Sequence, residues 1–260
     1  MKKDISKLLS LVLMLSLMLG TFCISGSAVD SCSWYIKRNG HNRPTFPKEA
    51  ETVSQHSGYY IDEKLSADST EKKLYITFDA GYENGNIEKI LNTLKEENVP
   101  AAFFLLDNII LKNTDLVLRM AEEGHLVCNH TKNHRDLSSA TEEEIAKNLS
   151  ALEMLYEEKT GREMAKYFRF PEGKYSLDAL CTVEKLGYKT VFWSFGYDDW
   201  DNCRQPSEAK AIKKILDNTH NGEILLLHPT SATNANILPK LIKAWRDMGY
   251  TFGTLDELTA

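Results

Sequence analysis

Phosphate-binding glycine motifs are missing from this sequence, which holds neither a Gly-x-Gly-x-x-Gly run nor a phosphate loop. That weakens a nucleotide-binding reading, and the lack of a Gly-x-Ser-x-Gly elbow leaves a serine esterase unsupported. Cysteine is scarce, at five in 260 residues. Cys23 falls in an apolar leader, and Cys32, Cys128, Cys181 and Cys203 match neither a zinc knuckle nor a redox pair. No disulfide pairing is assigned; Cys128 ends the apolar run His125-Leu126-Val127-Cys128 and reads as a small buried thiol. Positive charge is also in deficit. With 31 Lys plus Arg against 37 Asp plus Glu, the formal charge is −6, the wrong sign for a general nucleic-acid binder. Beyond the first 28 residues no apolar run approaches the roughly 20 residues that span a bilayer.

What is present describes an ordinary globular chain. A hydrophobic content of 42% over 260 residues can bury a core without a structural metal or disulfides, as one large domain or two small ones. Met1 to Ala28 reads as a signal peptide: Lys2, Lys3 and Lys7 precede an apolar stretch from Leu8 to Leu19, and Gly26-Ser27-Ala28 supplies a small-residue cleavage site. The stretch is short for a membrane anchor, so cleavage near Val29 and export are expected, with tethering the alternative if it is retained. Cleavage removes Lys2, Lys3, Lys7 and Asp4, a net +2, and takes the charge from −6 to about −8. Partners are then extracellular or face the cell wall, and no protein partner is implied.

Residues 29–71, with Pro44, Pro47, Gly40 and Gly58 and little periodicity, read as an N-terminal extension laid over a domain at 72–260. From Leu74 onward, short apolar runs alternate with helical patterns. Leu74–Phe78, Ala101–Leu106, His125–Cys128, Tyr167–Phe170, Thr190–Trp193, Ile224–Leu227 and Tyr250–Phe252 read as strands. Ile87–Glu97, Asp115–Glu123, Thr141–Thr160, Ser176–Leu186, Glu208–Thr219 and Asn236–Met248 carry apolar residues at three-to-four spacing. Such alternation predicts an α/β fold of about seven parallel strands, closed as a (β/α) barrel or left open as a doubly wound sheet. In both, sites form at the carboxyl ends of strands.

Five of the seven strands deliver ionisable groups to that rim: Asp79, the pair His130 and His134, Arg169 with Glu172, Asp198 with Asp199, and His228. A lone Asp after a strand commonly caps a helix, and a lone His or Arg is commonly structural or solvated; together on one rim they make a catalytic site. The two histidines are four apart, so a helical turn would put both imidazoles on one face, a spacing suited to one divalent metal. A metal lowers the pKa of bound water from 15.7 to about 7. Asp79 then suits a general base held by Arg169, and His228 a general acid oriented by Asp199. Trp200 and Leu226 offer an apolar wall for a small acyl group or a sugar face. This set suits hydrolysis of an amide or ester better than glycoside cleavage, since adjacent Asp198 and Asp199 point in different directions.

In these residues the chain resembles the polysaccharide deacetylase family, carbohydrate esterase family four. The resemblance runs from about Leu74 to Leu258, with five motifs in order: TFDAG, HTKNH, RFPEG, DDW and LLLH. The segments Thr77 to Gly85, Phe192-Trp193-Ser194 and Trp34 to Arg38 are most similar to the delta-lactam-biosynthetic, peptidoglycan N-acetylmuramic acid deacetylases. The resemblance implies a distorted (β/α) barrel, Asp79 as base, His130 and His134 as ligands of a divalent metal such as zinc, and Arg169 as the holder of the base. It further implies His228 as acid with Asp199 as its partner, and Trp200 and Leu226 as an acetyl pocket.

Two positions depart from the family pattern. Ala80 stands where most members carry a second Asp, a metal ligand, so a two-histidine site with water in the remaining positions is expected to bind more weakly. Glu172 replaces an aromatic residue, leaving its backbone N–H to stabilise an oxyanion and its side chain to influence substrate choice. Lys174, two residues on, is a candidate for a lactyl carboxylate, against the plainer reading of a solvated surface lysine. The function implied is metal-assisted N-deacetylation of peptidoglycan glycan strands, at muramic acid, with a link to the spore cortex. Deacetylation of chitin-like or other glycans, and a catalytically silent glycan-binding barrel, are the alternatives.

Overall fold

The computed structural model describes residues 31–260; the expected signal peptide, Met1 to Ala28, lies outside them. The first elements are β1 (Cys32–Ser33), α1 (Ala50–Gln55), β2 (Gly58–Tyr59), β3 (Lys73–Ala80) and α2 (Ile87–Glu96). Next come β4 (Ala102–Leu105), α3 (Asp107–Lys112), α4 (Thr114–Glu122), β5 (Leu126–Asn129), α5 (Glu142–Thr160) and β6 (Ala165–Phe168). The chain ends with β7 (Lys174–Tyr175), α6 (Leu177–Lys185), β8 (Lys189–Val191), α7 (Glu208–Leu216), β9 (Glu223–Leu227), α8 (Ala232–Asp247), β10 (Thr251–Phe252) and α9 (Leu255–Leu258). No described helix is long and apolar enough to cross a membrane.

All seven expected strands are present, and β2 from the extension makes an eighth. The main sheet runs β10-β3-β4-β5-β6-β8-β2, with β9 on the other edge of β3, and every pair in it is parallel. The circle is drawn together where the chain after β8 returns to β9: Phe195 bridges Leu225, and the Leu226 N–H donates to the Phe195 carbonyl at 2.8 Å. The result is the distorted barrel that the alternation of elements predicts. The helical patterns are likewise present within a few residues of their expected ends, α8 starting earlier, at Ala232.

Parallel strands with helices outside are buried on both faces, so their sequences are predominantly apolar rather than alternating. Strand β3 shows how the two faces divide. Leu74, Ile76, Phe78 and Ala80 pack in the outer cluster with the helices, whereas Tyr75 belongs to the inner one with Ala102, Phe104, Cys128, Tyr167, Val191 and Ile224. These seven inner residues come from six strands, β4 supplying both Ala102 and Phe104, as expected of a filled barrel. Leu255 and Leu258 of α9 join that inner core. Cys128 is the small buried thiol expected, and burial pushes its pKa up.

The extension is built into the barrel. Beyond the β2–β8 pairing, Trp34, Tyr60 and Ile61 are buried in the cluster that covers β6 and β8. Trp34 stacks on Phe192 with ring centroids 4.6 Å apart, donates its indole N–H to the Trp193 carbonyl at 2.9 Å, and has its backbone N–H on the Gly173 carbonyl at 2.8 Å.

Candidate active site

Strand periodicity places Asp79 on the inward face of β3, one step above Thr77, where it borders a cavity of about 740 Å³. Arg169, directly after β6, reaches across the barrel with its side chain fully buried. It donates to Asp79 Oδ1 at 2.8 Å, to the Val191 carbonyl at 2.8 Å, to Thr77 Oγ1 at 2.9 Å and to the Phe192 carbonyl at 3.2 Å, and it lies over the Phe104 ring at 4.1 Å. Burial works against an ionised Asp79, but the Arg169 guanidinium outweighs it, and the carboxyl stays below its ordinary pKa. The base is thus charged and aimed by one buried cation.

His130 follows β5. Its Nδ1 meets the Arg169 carbonyl at 2.8 Å, which fixes the proton on Nδ1 and turns an unprotonated Nε2 toward Asp79 Oδ2, 3.5 Å away. Burial lowers its pKa to about 4, so the ring is neutral, as a ligand must be. Asn129 braces this loop, donating to the Leu149 carbonyl at 3.1 Å and accepting from the Thr131 N–H at 2.9 Å.

The helical turn expected between the two histidines is absent. The segment from Thr131 to Asp136 is non-helical, and Thr131 and His134 both adopt left-handed backbone, at φ of 70° and 59°. These two reversals bring the rings edge to face, with centroids 5.1 Å apart, so the imidazoles converge by a different route. Left-handed backbone away from glycine is costly and concentrates at functional sites.

On the opposite side, His228 follows β9. Its Nδ1 lies 2.7 Å from Asp199 Oδ1, and its backbone N–H donates to Asp199 Oδ2 at 2.8 Å. Asn234 donates to the same Oδ2 at 2.6 Å and in turn accepts from the Tyr197 hydroxyl. Burial opposes the imidazolium, yet the fully buried Asp199 carboxylate prevails and raises the His228 pKa. With Nδ1 committed to Asp199, Nε2 is left as the proton donor.

Leu226 and Trp200 line the cavity, as do His134, Glu172 and Asp198. Trp200 is 58% exposed and Tyr82 48%, two aromatic faces at the mouth suited to a sugar ring. Glu172 sits in the turn Pro171–Gly173 at φ 56°. Lys174 is not among the lining residues; its ammonium pairs with the Glu172 carboxylate at 2.7 Å. Thr77, Asn129, Tyr197, Asn234 and Arg38 were not anticipated from the sequence. Asn234 carries only a capping signal, as its N–H receives the Ser231 hydroxyl oxygen at 3.0 Å, so nothing in its spacing marks it as a brace.

Metal capacity rests on two imidazoles. Among the described residues no group of three or more His, Cys, Asp or Glu side chains is arranged to hold an ion, and Ala80 is fully buried in the outer hydrophobic cluster. The deprotonated Nε2 of His130 and the neighbouring His134 still fit a divalent ion as a two-histidine site, and the His130–Arg169 contact is the outer hydrogen bond such ligands carry.

A family model described as polysaccharide deacetylase matches residues 66–191. The peptidoglycan-N-acetylmuramic acid deacetylase PdaA of Bacillus subtilis is 33% identical over 87% of this chain and 85% of its own length. The structure of that B. subtilis protein, a family 4 carbohydrate esterase, superposes with a TM-score of 0.82 over 88% of this chain and 97% of its own. A family 4 carbohydrate esterase from Bacillus anthracis, 34% identical, gives 0.72 over 89% and 97%.

Proposed function

The chain belongs to the polysaccharide deacetylase family, and on that premise we propose that it hydrolyses the acetamide of N-acetylated amino sugars in peptidoglycan, at N-acetylmuramic acid. The observation that carries this reading is the facing pair: an ionised, Arg169-held Asp79 and an Asp199-held His228 on opposite walls of one cavity. Hydrolysis of an amide needs a base to deprotonate the attacking water and an acid to protonate the departing nitrogen, and these two groups differ in pKa in the required direction. Asp79 takes the water proton, and His228 Nε2 delivers one to the amine. The left-handed turn at Glu172 offers backbone N–H to the developing oxyanion. Leu226 receives the acetyl methyl, while Trp200 and Tyr82 hold the glycan.

His130 and His134 would hold a divalent ion, with zinc the favoured identity. Such an ion supplies Lewis acidity at the acetamide oxygen and acidifies water. The reading includes export to the cell wall, for which the Lys-flanked apolar start of the sequence is the support, and a role in the spore cortex, supported by likeness to the muramic acid deacetylases.

Acetate release from de-peptidated peptidoglycan is the direct test. Wild type should release acetate, and Asp79→Asn and His228→Ala should each lose roughly 10²- to 10⁴-fold in kcat. No release from any acetylated glycan, with or without added zinc, manganese or magnesium, would refute the proposal.

A further inference from the structure

The cavity is poor in cations. Of its described lining residues, Asp79, Glu172 and Asp198 carry carboxylates, and Arg38 alone is a lysine or arginine. Arg38 comes from the extension, four residues after buried Trp34, whose stacking on Phe192 and bond to the Trp193 carbonyl pin this stretch of chain. Its guanidinium donates to the Gly196 carbonyl and lies over the Phe195 ring at 5.5 Å. Gly196 in turn fits between Trp193 and Leu226: a Cβ there would stand 3.4 Å from the indole and 3.6 Å from the Leu226 side chain. Arg38 is therefore held beside the wall assigned to the acetyl group.

Muramic acid differs from glucosamine by a lactyl ether on the carbon next to the one bearing the acetamide. A free lactyl carboxylate therefore enters the same cavity whenever the acetamide reaches Asp79 and His228. Among the lining acids Asp79 is satisfied by Arg169 and Glu172 by Lys174, whereas Asp198 would repel that carboxylate. We infer that Arg38 is the specificity-determining residue that receives the lactyl carboxylate and so selects muramic acid over uncharged amino sugars. One Nη2–H of the guanidinium is spent on the Gly196 carbonyl; the fork keeps further N–H groups for a carboxylate, which binds such a fork in two parallel hydrogen bonds. Lys174 is less suited to this task, because Glu172 already engages it outside the cavity lining. This inference rests on the deacetylase reading above.

The test compares two versions of one glycan, with the lactyl carboxylate free or converted to its methylamide. In wild type the free acid should have the higher kcat/KM. In Arg38→Gln the ratio of free acid to amide should fall roughly ten- to a hundredfold, carried by KM rather than kcat, with Arg38→Lys in between. A merely structural role for Arg38, as a strut on Gly196, lowers both substrates together and leaves the ratio unmoved; that outcome overturns the inference. Binding of the two glycans to Asp79→Asn, with and without Arg38→Gln, reads the same ratio without turnover. Wild type that binds both but releases no acetate sinks the deacetylase reading alone, whereas an unchanged binding ratio sinks the role of Arg38.

Discussion

His228 is useful as an acid because of a neighbour that never touches substrate. Asp199 is fully buried and accepts from three donors: the His228 ring, the His228 backbone and Asn234. Three donors on one carboxylate leave no room for an amide NH₂ in its place, so Asp199→Asn both misorients the imidazole and withdraws the charge that favours its protonated form. His228 has a raised pKa in the folded protein, and removing the carboxylate lowers it. The acid is active only while protonated; hence the alkaline limb of kcat/KM should move to lower pH in Asp199→Asn, with roughly a hundredfold loss at its optimum. A pH profile decides this, and an unshifted alkaline limb would assign that limb to another group. Arg169 plays the matching part for the base. Because it also anchors Thr77 and two carbonyls inside the barrel, its loss would expose the site and the core together.

The turn after β6 joins the site to the extension. Gly173 has φ of 67°, which disfavours a side chain, and an added Cβ would lie 2.8 Å from the Trp193 indole and 3.0 Å from the Trp34 Cβ. Gly173→Ala must therefore push one indole away and, with it, either the cavity wall or the stretch carrying Arg38. A loss of about 1–3 kcal/mol in stability is expected, together with a shift in tryptophan emission and a fall in activity; denaturant titration and fluorescence measure both. How much of this the sequence displays depends on length of pattern. Strands such as β3 and β9, each with four apolar residues in a run of five, announce themselves, and Asp79 and His228 at their carboxyl ends border one cavity. Strand β2 could not be seen: two residues, Gly58 and Tyr59, have no period, and their pairing with β8 is a tertiary event. The same limit hid the loop from Thr131 to His134. Spacing by four suggests a helical turn, yet two left-handed residues reach a similar convergence. The roles of Arg38 and Asn234 are not legible in the sequence because they depend on Gly196 and Asp199, distant in the chain.

The barrel's ionisable interior sets how the whole protein responds to pH. Near the seam that closes it, Glu223 is completely buried. Its Oε2 accepts the His220 N–H at 2.9 Å, and its Oε1 has no hydrogen-bond partner among the described residues. Burial raises its pKa well above the ordinary carboxyl value, so the folded protein keeps a proton there that the unfolded chain gives up above about pH 4.5. Between that pH and the folded-state pKa of Glu223, folding takes up one proton, and stability falls as pH rises. His125, His130 and His220 act in the opposite sense. Burial lowers each to about 4, so from pH 6.5 down to 4 the unfolded chain binds three protons that the metal-free native state refuses, and stability falls as pH drops. The two slopes partly cancel below pH 6.5, where the histidines prevail, and above it Glu223 acts unopposed by them. Metal-free protein should accordingly be most stable near pH 6.5. Glu223→Gln keeps the shape and the acceptor for His220 but has no proton to lose, so above pH 6.5 its unfolding free energy should decline less steeply than that of wild type, by up to roughly 1.4 kcal/mol per pH unit as far as the folded-state pKa of Glu223. Denaturant melts of both proteins across that range measure the slope; parallel lines would mean that Glu223 is ionised in the fold, with His220 or solvent compensating its charge.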